Sequence, residues 1–212
     1  MNIQSSFDYF LKIIIIGDTG VGKSNFLYRF VNGKFSQLYQ PTIGIDYKSK
    51  IVVLPKTKQN VNLQFWDTAG QERYKSLNKL YFQRVQGIIL MYDITKRESF
   101  ESLGNWTKLI FDNLDYIPIV LIGNKLDDAE KNRIVREEEG QSFADEHNFL
   151  FFEASALNGK NVNTAVISLC EFIISHLRRT NSFDIINNKS LSLNDIVKDK
   201  KVKKAERKEP CC

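Results

Sequence analysis

Eight consecutive residues carry the densest chemistry in this chain: Gly17-Asp18-Thr19-Gly20-Val21-Gly22-Lys23-Ser24. Two glycines framing four residues, followed by Lys-Ser, form a loop suited to a chain of phosphates. Such a chain brings several negative charges and needs many donors at short range. Backbone N–H groups supply them where the loop folds tightly around the anion, which glycine permits. A helix starting directly after the loop adds the field of its N-terminus. Lys23 would set an ammonium on the outer phosphates and Ser24 a hydroxyl on Mg²⁺, with Asp18, Thr19, Gly20, Val21, Gly22 and Asn25 completing the wrap. The loop alone distinguishes neither ATP from GTP nor a kinase from a switch.

Two later clusters narrow the chemistry. Phe65-Trp66-Asp67-Thr68-Ala69-Gly70-Gln71-Glu72 begins as a strand that ends in a carboxylate. Asp67 is placed to hold Mg²⁺ opposite Ser24. Gly70 lets a backbone N–H reach a γ-phosphate, and the amide of Gln71, both donor and acceptor, suits the orienting of an attacking water. Asn124-Lys125-Leu126-Asp127 decides the base. Guanine presents a ring N–H and an amine on one edge, and a single carboxylate accepts from both. Adenine has no such pair, so a site built around Asp127 would leave its charge unsatisfied with ATP. Asn124 would bridge the base to the phosphate loop, and the stem of Lys125 would cover one ring face. Ser155-Ala156-Leu157 would offer a backbone N–H to the guanine carbonyl.

These residues need a scaffold that brings them together. Tyr9–Ile16, Gly87–Asp93, Ile119–Gly123 and Phe149–Glu153 read as short, apolar, buried strands. Helical spacing follows at Lys23–Asn32, near Leu77–Val85, along Phe100, Leu103, Trp106 and Ile110, at Arg136–His147 and at Val162–Arg178. Asp46–Leu54 and Val61–Trp66 are joined by so short a connection that they form an antiparallel hairpin. The alternation predicts an α/β fold with a mainly parallel sheet and helices on both faces. In such sheets ligands lie beyond the carboxyl ends of the strands, where each motif falls.

The phosphate loop, D-T-A-G-Q-E, N-K-L-D and S-A, in this order, resemble a small GTPase of the Ras superfamily. Thr42-Ile43-Gly44-Ile45-Asp46-Tyr47, Leu63-Gln64-Phe65-Trp66, Arg73-Tyr74-Lys75-Ser76-Leu77, Met91-Tyr92-Asp93-Ile94-Thr95 and the final Cys211-Cys212 narrow the resemblance to the Rab family, leaning towards its exocytic, secretory members. It covers residues 7–178 and the last dipeptide. It implies a three-layer P-loop NTPase G domain, six-stranded, with one antiparallel edge strand, that binds GTP or GDP with Mg²⁺ and hydrolyses GTP slowly unless assisted. Thr42 would ligate Mg²⁺ and sense the γ-phosphate. Phe35 would stack on guanine. Residues 36–47 and 70–84 would be the switches. Tyr47, Trp66 and Tyr81 match an aromatic triad shown to effectors. The implied partners are a guanine-nucleotide exchange factor, a GTPase-activating protein, a GDP-dissociation inhibitor, an escort protein with geranylgeranyl transferase, and GTP-state effectors. A monomer on the cytoplasmic face of endomembranes, secretory vesicles or the plasma membrane, with a cytosolic pool, is implied. The chain departs from the family pattern at Thr19 (glycine in Ras relatives), Leu157 (lysine), Tyr47 (phenylalanine) and Gln83-Arg84 (Arg-Gly), and its 55–60 turn is longer. A P-loop kinase or ATPase is disfavoured by Asn124 and Asp127; an adaptor that does not cycle is disfavoured by intact Gln71 and Thr42 and kept open by the Gln83-Arg84 departure.

Composition agrees. The 212 residues include 30 basic and 25 acidic ones, net +5. Nine of the basic and five of the acidic residues lie from Arg179 onward, which leaves the body nearly neutral. A basic tail on a neutral body suits a membrane surface rather than nucleic acid. Residues 179–212 read as a flexible tail, and the resemblance implies that Cys211 and Cys212 form a double geranylgeranylation site, two chains being needed for a stable anchor. No apolar run approaches the ~18 residues of a membrane helix. The first residues lack a signal-peptide pattern and Asn2 excludes N-myristoylation, so a cytosolic protein is expected. Three cysteines make no disulfide framework. Cys170 shares a helical face with Val162, Val166, Ile173 and Leu177 and is expected in the core. His147 and His176 are expected in surface or helix-end roles, and Glu137-Glu138-Glu139 as a solvated run at a helix start.

Overall fold

The run Ile13-Ile14-Ile15-Ile16 sets the architecture. Successive side chains on a strand point to opposite faces, and all four are at most 1% exposed, so both faces must be covered. Leu11, Ile13 and Ile15 enter one core, while Ile14 and Ile16 enter the other. The computed structural model describes residues 7–36, 45–68 and 82–180.

The strands are β1 (Tyr9–Ile16), β2 (Ile45–Val53), β3 (Asn60–Thr68), β4 (Gly87–Asp93), β5 (Ile119–Asn124) and β6 (Leu150–Ala154). They form one sheet in the order β2-β3-β1-β4-β5-β6. β2 runs antiparallel to β3 at the edge, and every other pairing is parallel. The helices are α1 (Lys23–Asn32), α2 (Arg97–Glu101), α3 (Leu103–Asn113), α4 (Ala129–Asn132), α5 (Glu137–His147) and α6 (Val162–Arg179), with a 3-10 turn at Leu126–Asp128. α1 and α6 cover one face, through Phe26, Leu27, Phe30, Val166, Leu169 and Ile173. α3 and α5 cover the other, through Leu103, Trp106, Ile110 and Ala144. This is the expected three-layer α/β arrangement with six strands.

Local differences have local causes. The helix marked by Phe100 to Ile110 is divided at Ser102, whose hydroxyl donates to the Glu98 carbonyl at 2.9 Å. Side-chain bonding of this kind bends helices. β3 extends past Trp66 to Thr68, and α6 runs one residue further than expected. The hairpin turn closes with Lys58 in the left-handed region and its N–H on the Leu54 carbonyl at 2.9 Å. Of the helix expected near 77–85, only residues 82–85 are described. Phe82 is buried in the second core, and the chain turns after it, with Arg84 at φ 58 and the Val85 N–H on the Phe82 carbonyl at 3.4 Å.

Cys170 is fully buried, as expected, with its thiol pushed up to about 12 by that burial. His147 closes α5 with Nδ1 2.9 Å from the Phe143 carbonyl oxygen. Glu139 does more than face solvent. It accepts the Arg136 N–H at 3.0 Å in a capping box, and it meets both terminal nitrogens of Arg97 at 2.7 and 3.2 Å. Among the described residues no helix is long and apolar enough to cross a membrane.

Candidate functional site

Parallel pairing puts the carboxyl ends of β1, β3, β4, β5 and β6 along one rim. The register places Asp67 beside Ile15, and it aligns Asp93, Asn124 and Ala154 across three neighbouring strands. The loop from Gly17, the acidic end of β3, Asn124 and Ser155 therefore converge without needing any long side chain.

The phosphate loop takes its shape from two glycines. Gly17 has φ +140, and a Cβ there would lie 2.1 Å from the Met91 carbonyl oxygen of the adjacent strand. Gly22, with φ +97, starts α1, and a Cβ on it would lie 2.4 Å from Asn124 Nδ2. Both positions combine a left-handed backbone with close approach. Val21 is buried, and its carbonyl accepts from Asn124 Nδ2 at 2.8 Å. Lys23 is only 5% exposed, and its Nζ donates to the carbonyls of Gly17 at 2.6 Å and Asp18 at 3.1 Å. The ammonium is thus held inside the loop. Thr19 and Gly20 are exposed at its mouth, while Ser24 and Asn25 open α1 half-buried.

Asp67 is fully buried, and among the described residues no well-formed hydrogen bond reaches either carboxylate oxygen, the Ser24 hydroxyl being the nearest donor that acts on it. Burial pushes its carboxyl up to about 6, although the Ser24 hydroxyl and the Lys23 ammonium draw it down. A buried carboxylate with oxygens left underused, facing the Ser24 hydroxyl at a phosphate loop, is the donor set of a hard cation that prefers oxygen. The residues present fit Mg²⁺.

On the base side, Asn124 is 1% exposed and is shared between two segments. Its Nδ2 reaches the phosphate loop, and its Oδ1 accepts from the Ala156 N–H at 3.2 Å. Asp127 is exposed, with one carboxylate oxygen accepting from the Ser155 hydroxyl at 2.5 Å. Ser155 is fully buried, Ala156 nearly so, and Leu157 is 47% exposed. Lys125 adopts φ 71 and pairs through Nζ with Asp93 at 2.5 Å. Phe35 is half-buried and packs against the first core.

Three residues that hold this site were not singled out from the sequence. Asp93 is fully buried. Its Oδ1 takes the Thr95 N–H and hydroxyl at 2.9 and 2.7 Å, while Oδ2 anchors Lys125. Its signal was available, since it ends an apolar strand as Asp67 does. Trp106 donates from Nε1 to Asp18 Oδ1 at 2.9 Å, tying α3 to the phosphate loop. Arg29 reaches the Ala156 and Leu157 carbonyls from α1. No motif announces these last two, because each acts on a segment more than eighty positions away.

Beside the site, Tyr47 and Trp66 are direct partners across β2 and β3, with rings edge-to-face at 5.8 Å and 77°. Tyr47 is 40% exposed and Trp66 half-buried against the second core. Lys12 lies over the indole at 4.7 Å, and burial, with Arg84 nearby, lowers it to about 8. Thr42, Gly70, Gln71, Tyr81, Cys211 and Cys212 lie outside the described residues.

Comparison with known proteins agrees with this geometry. A family model described as the Ras family matches residues 12–175. The chain is 40% identical to Ras-related protein RABE1d of Arabidopsis thaliana over 180 residues, 84% of this chain and 82% of that protein. It is 39% identical to GTP-binding protein ypt3 of Schizosaccharomyces pombe over 193 residues, 91% of this chain and 85% of the relative. Against human Ras-related protein Rab-3A it is 41% identical over 171 residues, 80% of this chain and 76% of the relative. A phosphate loop at the end of β1, an acidic end to β3, a base-reading loop after β5 and relatives of this extent lead to one conclusion: the chain belongs to the Ras family of small GTPases, in its Rab branch, and is a GTP-binding, GTP-hydrolysing switch of membrane traffic.

Proposed function

We propose that the chain cycles between GTP and GDP with Mg²⁺, and that its GTP form recruits effectors through the surface around Tyr47, Trp66 and Tyr81. The observation that carries the nucleotide reading is the junction at Asn124. This one buried carboxamide links the Val21 carbonyl of the phosphate loop to the Ala156 N–H of the base loop. Phosphates and base are thereby read by one connected unit.

Each group then has a task. Backbone N–H groups from Asp18 to Asn25 bind the phosphates, and Lys23 turns its ammonium from the loop carbonyls onto the outer ones. Ser24 and Asp67, with Thr42, hold Mg²⁺, which when bound neutralises charge on the phosphate oxygens. Gln71 orients the attacking water and the N–H of Gly70 meets the γ-phosphate. Asp127 accepts from both donors of the guanine edge while the Ser155 hydroxyl fixes its carboxylate through Oδ1. Lys125, steadied by Asp93, covers one ring face and Phe35 the other. Hydrolysis is slow unaided and is accelerated by an activating protein that completes the stabilisation of charge on the transferred phosphate. An exchange factor reloads the site. A GDP-dissociation inhibitor and an escort protein with geranylgeranyl transferase handle the lipidated tail. In this reading residues 7–178 form the G domain and 179–212 the basic tail. Cys211 and Cys212 carry two prenyl groups that hold the chain on secretory vesicles, other endomembranes or the plasma membrane.

The test is equilibrium binding of GTP, GDP and ATP with Mg²⁺ by the full chain and by Asp127→Asn. The parent is expected to bind both guanine nucleotides more tightly than ATP by about 10³-fold or more, an order set by the Asp127 carboxylate that adenine would cover and leave unpaired. The variant is expected to shift towards xanthine nucleotides, whose 2-carbonyl meets the new amide. Equal binding of ATP by the parent would overturn the reading.

A further inference from the structure

We infer that Arg29 is a positioning residue of the guanine site, aiming from beneath the backbone N–H that meets the base carbonyl. The inference rests on the guanine reading above. Arg29 lies in the last turn of α1, and its planar guanidinium binds three backbone carbonyls at once. Nε donates to Ala156 O at 2.9 Å, one terminal nitrogen to Leu157 O, and the other to Gly33 O at 3.0 Å.

The base loop is built to receive it. The Gly159 N–H donates to Ser155 O at 2.8 Å, and the Ser155 N–H to Lys160 O at 3.0 Å. These bonds close the loop on itself and leave the Ala156 and Leu157 carbonyls for a donor from another element. Gly159, at φ +87, brings the loop over the arginine stem: a Cβ there would stand 3.6 Å from Arg29 Cδ. The consequence follows from peptide geometry. In a trans peptide the C=O and the following N–H point in opposite directions. Drawing the Ala156 carbonyl down onto Arg29 therefore turns the Leu157 N–H away from α1. The positive charge also polarises that peptide and strengthens the N–H as a donor.

On the opposite side Asn124 Oδ1 takes the Ala156 N–H. The loop is thus clamped between Asn124 and Arg29, and only the first belongs to a guanine motif. Gly33, the third carbonyl, lies two residues before Phe35, so the same guanidinium also ties down the approach to the residue assigned to stack on the base. A lysine could not replace this function fully, because its ammonium cannot span the fork that Ala156 and Leu157 present.

The experiment compares release of GDP and of 6-thioguanosine diphosphate from the full chain and from Arg29→Met. The thio nucleotide keeps the edge read by Asp127 but exchanges the carbonyl oxygen for a poor acceptor. In the parent it is expected to leave faster than GDP. In Arg29→Met, GDP release is expected to accelerate about tenfold, the size of one charge-assisted hydrogen bond, while release of the thio nucleotide changes less than about threefold. Arg29→Lys, which keeps one donor, is expected to fall between, and it carries the test if the methionine variant does not fold. Equal acceleration for both nucleotides would make Arg29 a general support of the fold and overturn the inference, as would unchanged GDP release. Failure of the parent itself to distinguish GDP from ATP would overturn the guanine reading, and this role with it.

Discussion

Gly22 shows how much one missing side chain carries. It begins α1 at φ +97, and a methyl there would stand 2.4 Å from Asn124 Nδ2. The carboxamide cannot step aside cheaply, because it holds both Val21 and Ala156. Gly22→Ala is therefore expected to cost about 1–2 kcal/mol in left-handed backbone strain and to weaken GDP binding more than tenfold. Urea denaturation measures the first effect and calorimetric titration the second. Stability lost without weaker binding would mean that Asn124 does not couple the two halves of the site. The residues with motif chemistry, Lys23, Asp67, Asn124 and Asp127, were legible in the sequence because their side-chain types match the ligand. Arg29 and Trp106 were not, since both bind protein atoms brought near only by folding.

At the scale of elements, the segment following Asp127 is fastened by an ion pair. Arg133, between α4 and α5, donates to both carboxylate oxygens of Glu153 on β6 at 2.6 and 2.7 Å. The Glu153 side chain is 3% exposed. Arg133→Met strands that carboxylate in the interior and is expected to cost about 3 kcal/mol. Urea unfolding checks this, and adding Glu153→Gln should recover part of the loss. The start of α5 is held differently. Glu139, capping the helix and paired with Arg97, is lowered to about 2 by the Arg97 hydrogen bonds first and the Arg136 N–H second. A carboxylate held low in the fold stabilises it above the ordinary glutamate range, and that contribution fades as pH falls from about 4.5 towards 2. Glu139→Gln should thus melt below the parent at pH 7, and the gap should close through that acid window in thermal scans. A gap independent of pH would assign the effect to packing. The strands were legible because buried β-branched runs admit little else. The division at Ser102 and the short turns at 126–132 were not, since single hydrogen bonds set them.

For the whole molecule, a sheet covered on both faces leaves its rim free for ligand and the opposite end free for a tail. In the proposed reading, membrane attachment depends on the tail. One lipid chain gives marginal binding and two give a stable anchor, at about 0.8 kcal/mol per buried CH₂. The prenylated chain is expected to sediment with anionic vesicles, Cys211→Ser or Cys212→Ser to sediment partially, and the double variant to stay in solution at moderate salt. Retention of the double variant would shift the anchor to the lysines of the tail.

Local patterns in the chain determined the layered fold and the alternation of strands and helices, and they pointed to the chemistry proposed for phosphate and base, because glycine spacing, apolar runs and donor types act at short range. Folding alone brought Arg29 under Ala156, Trp106 to Asp18, Asp93 to Lys125 and Tyr47 over Trp66. Those contacts join segments up to 127 positions apart. Their partners are largely backbone carbonyls or common side chains that carry no mark in sequence, so nothing short of the assembled sheet could pair them.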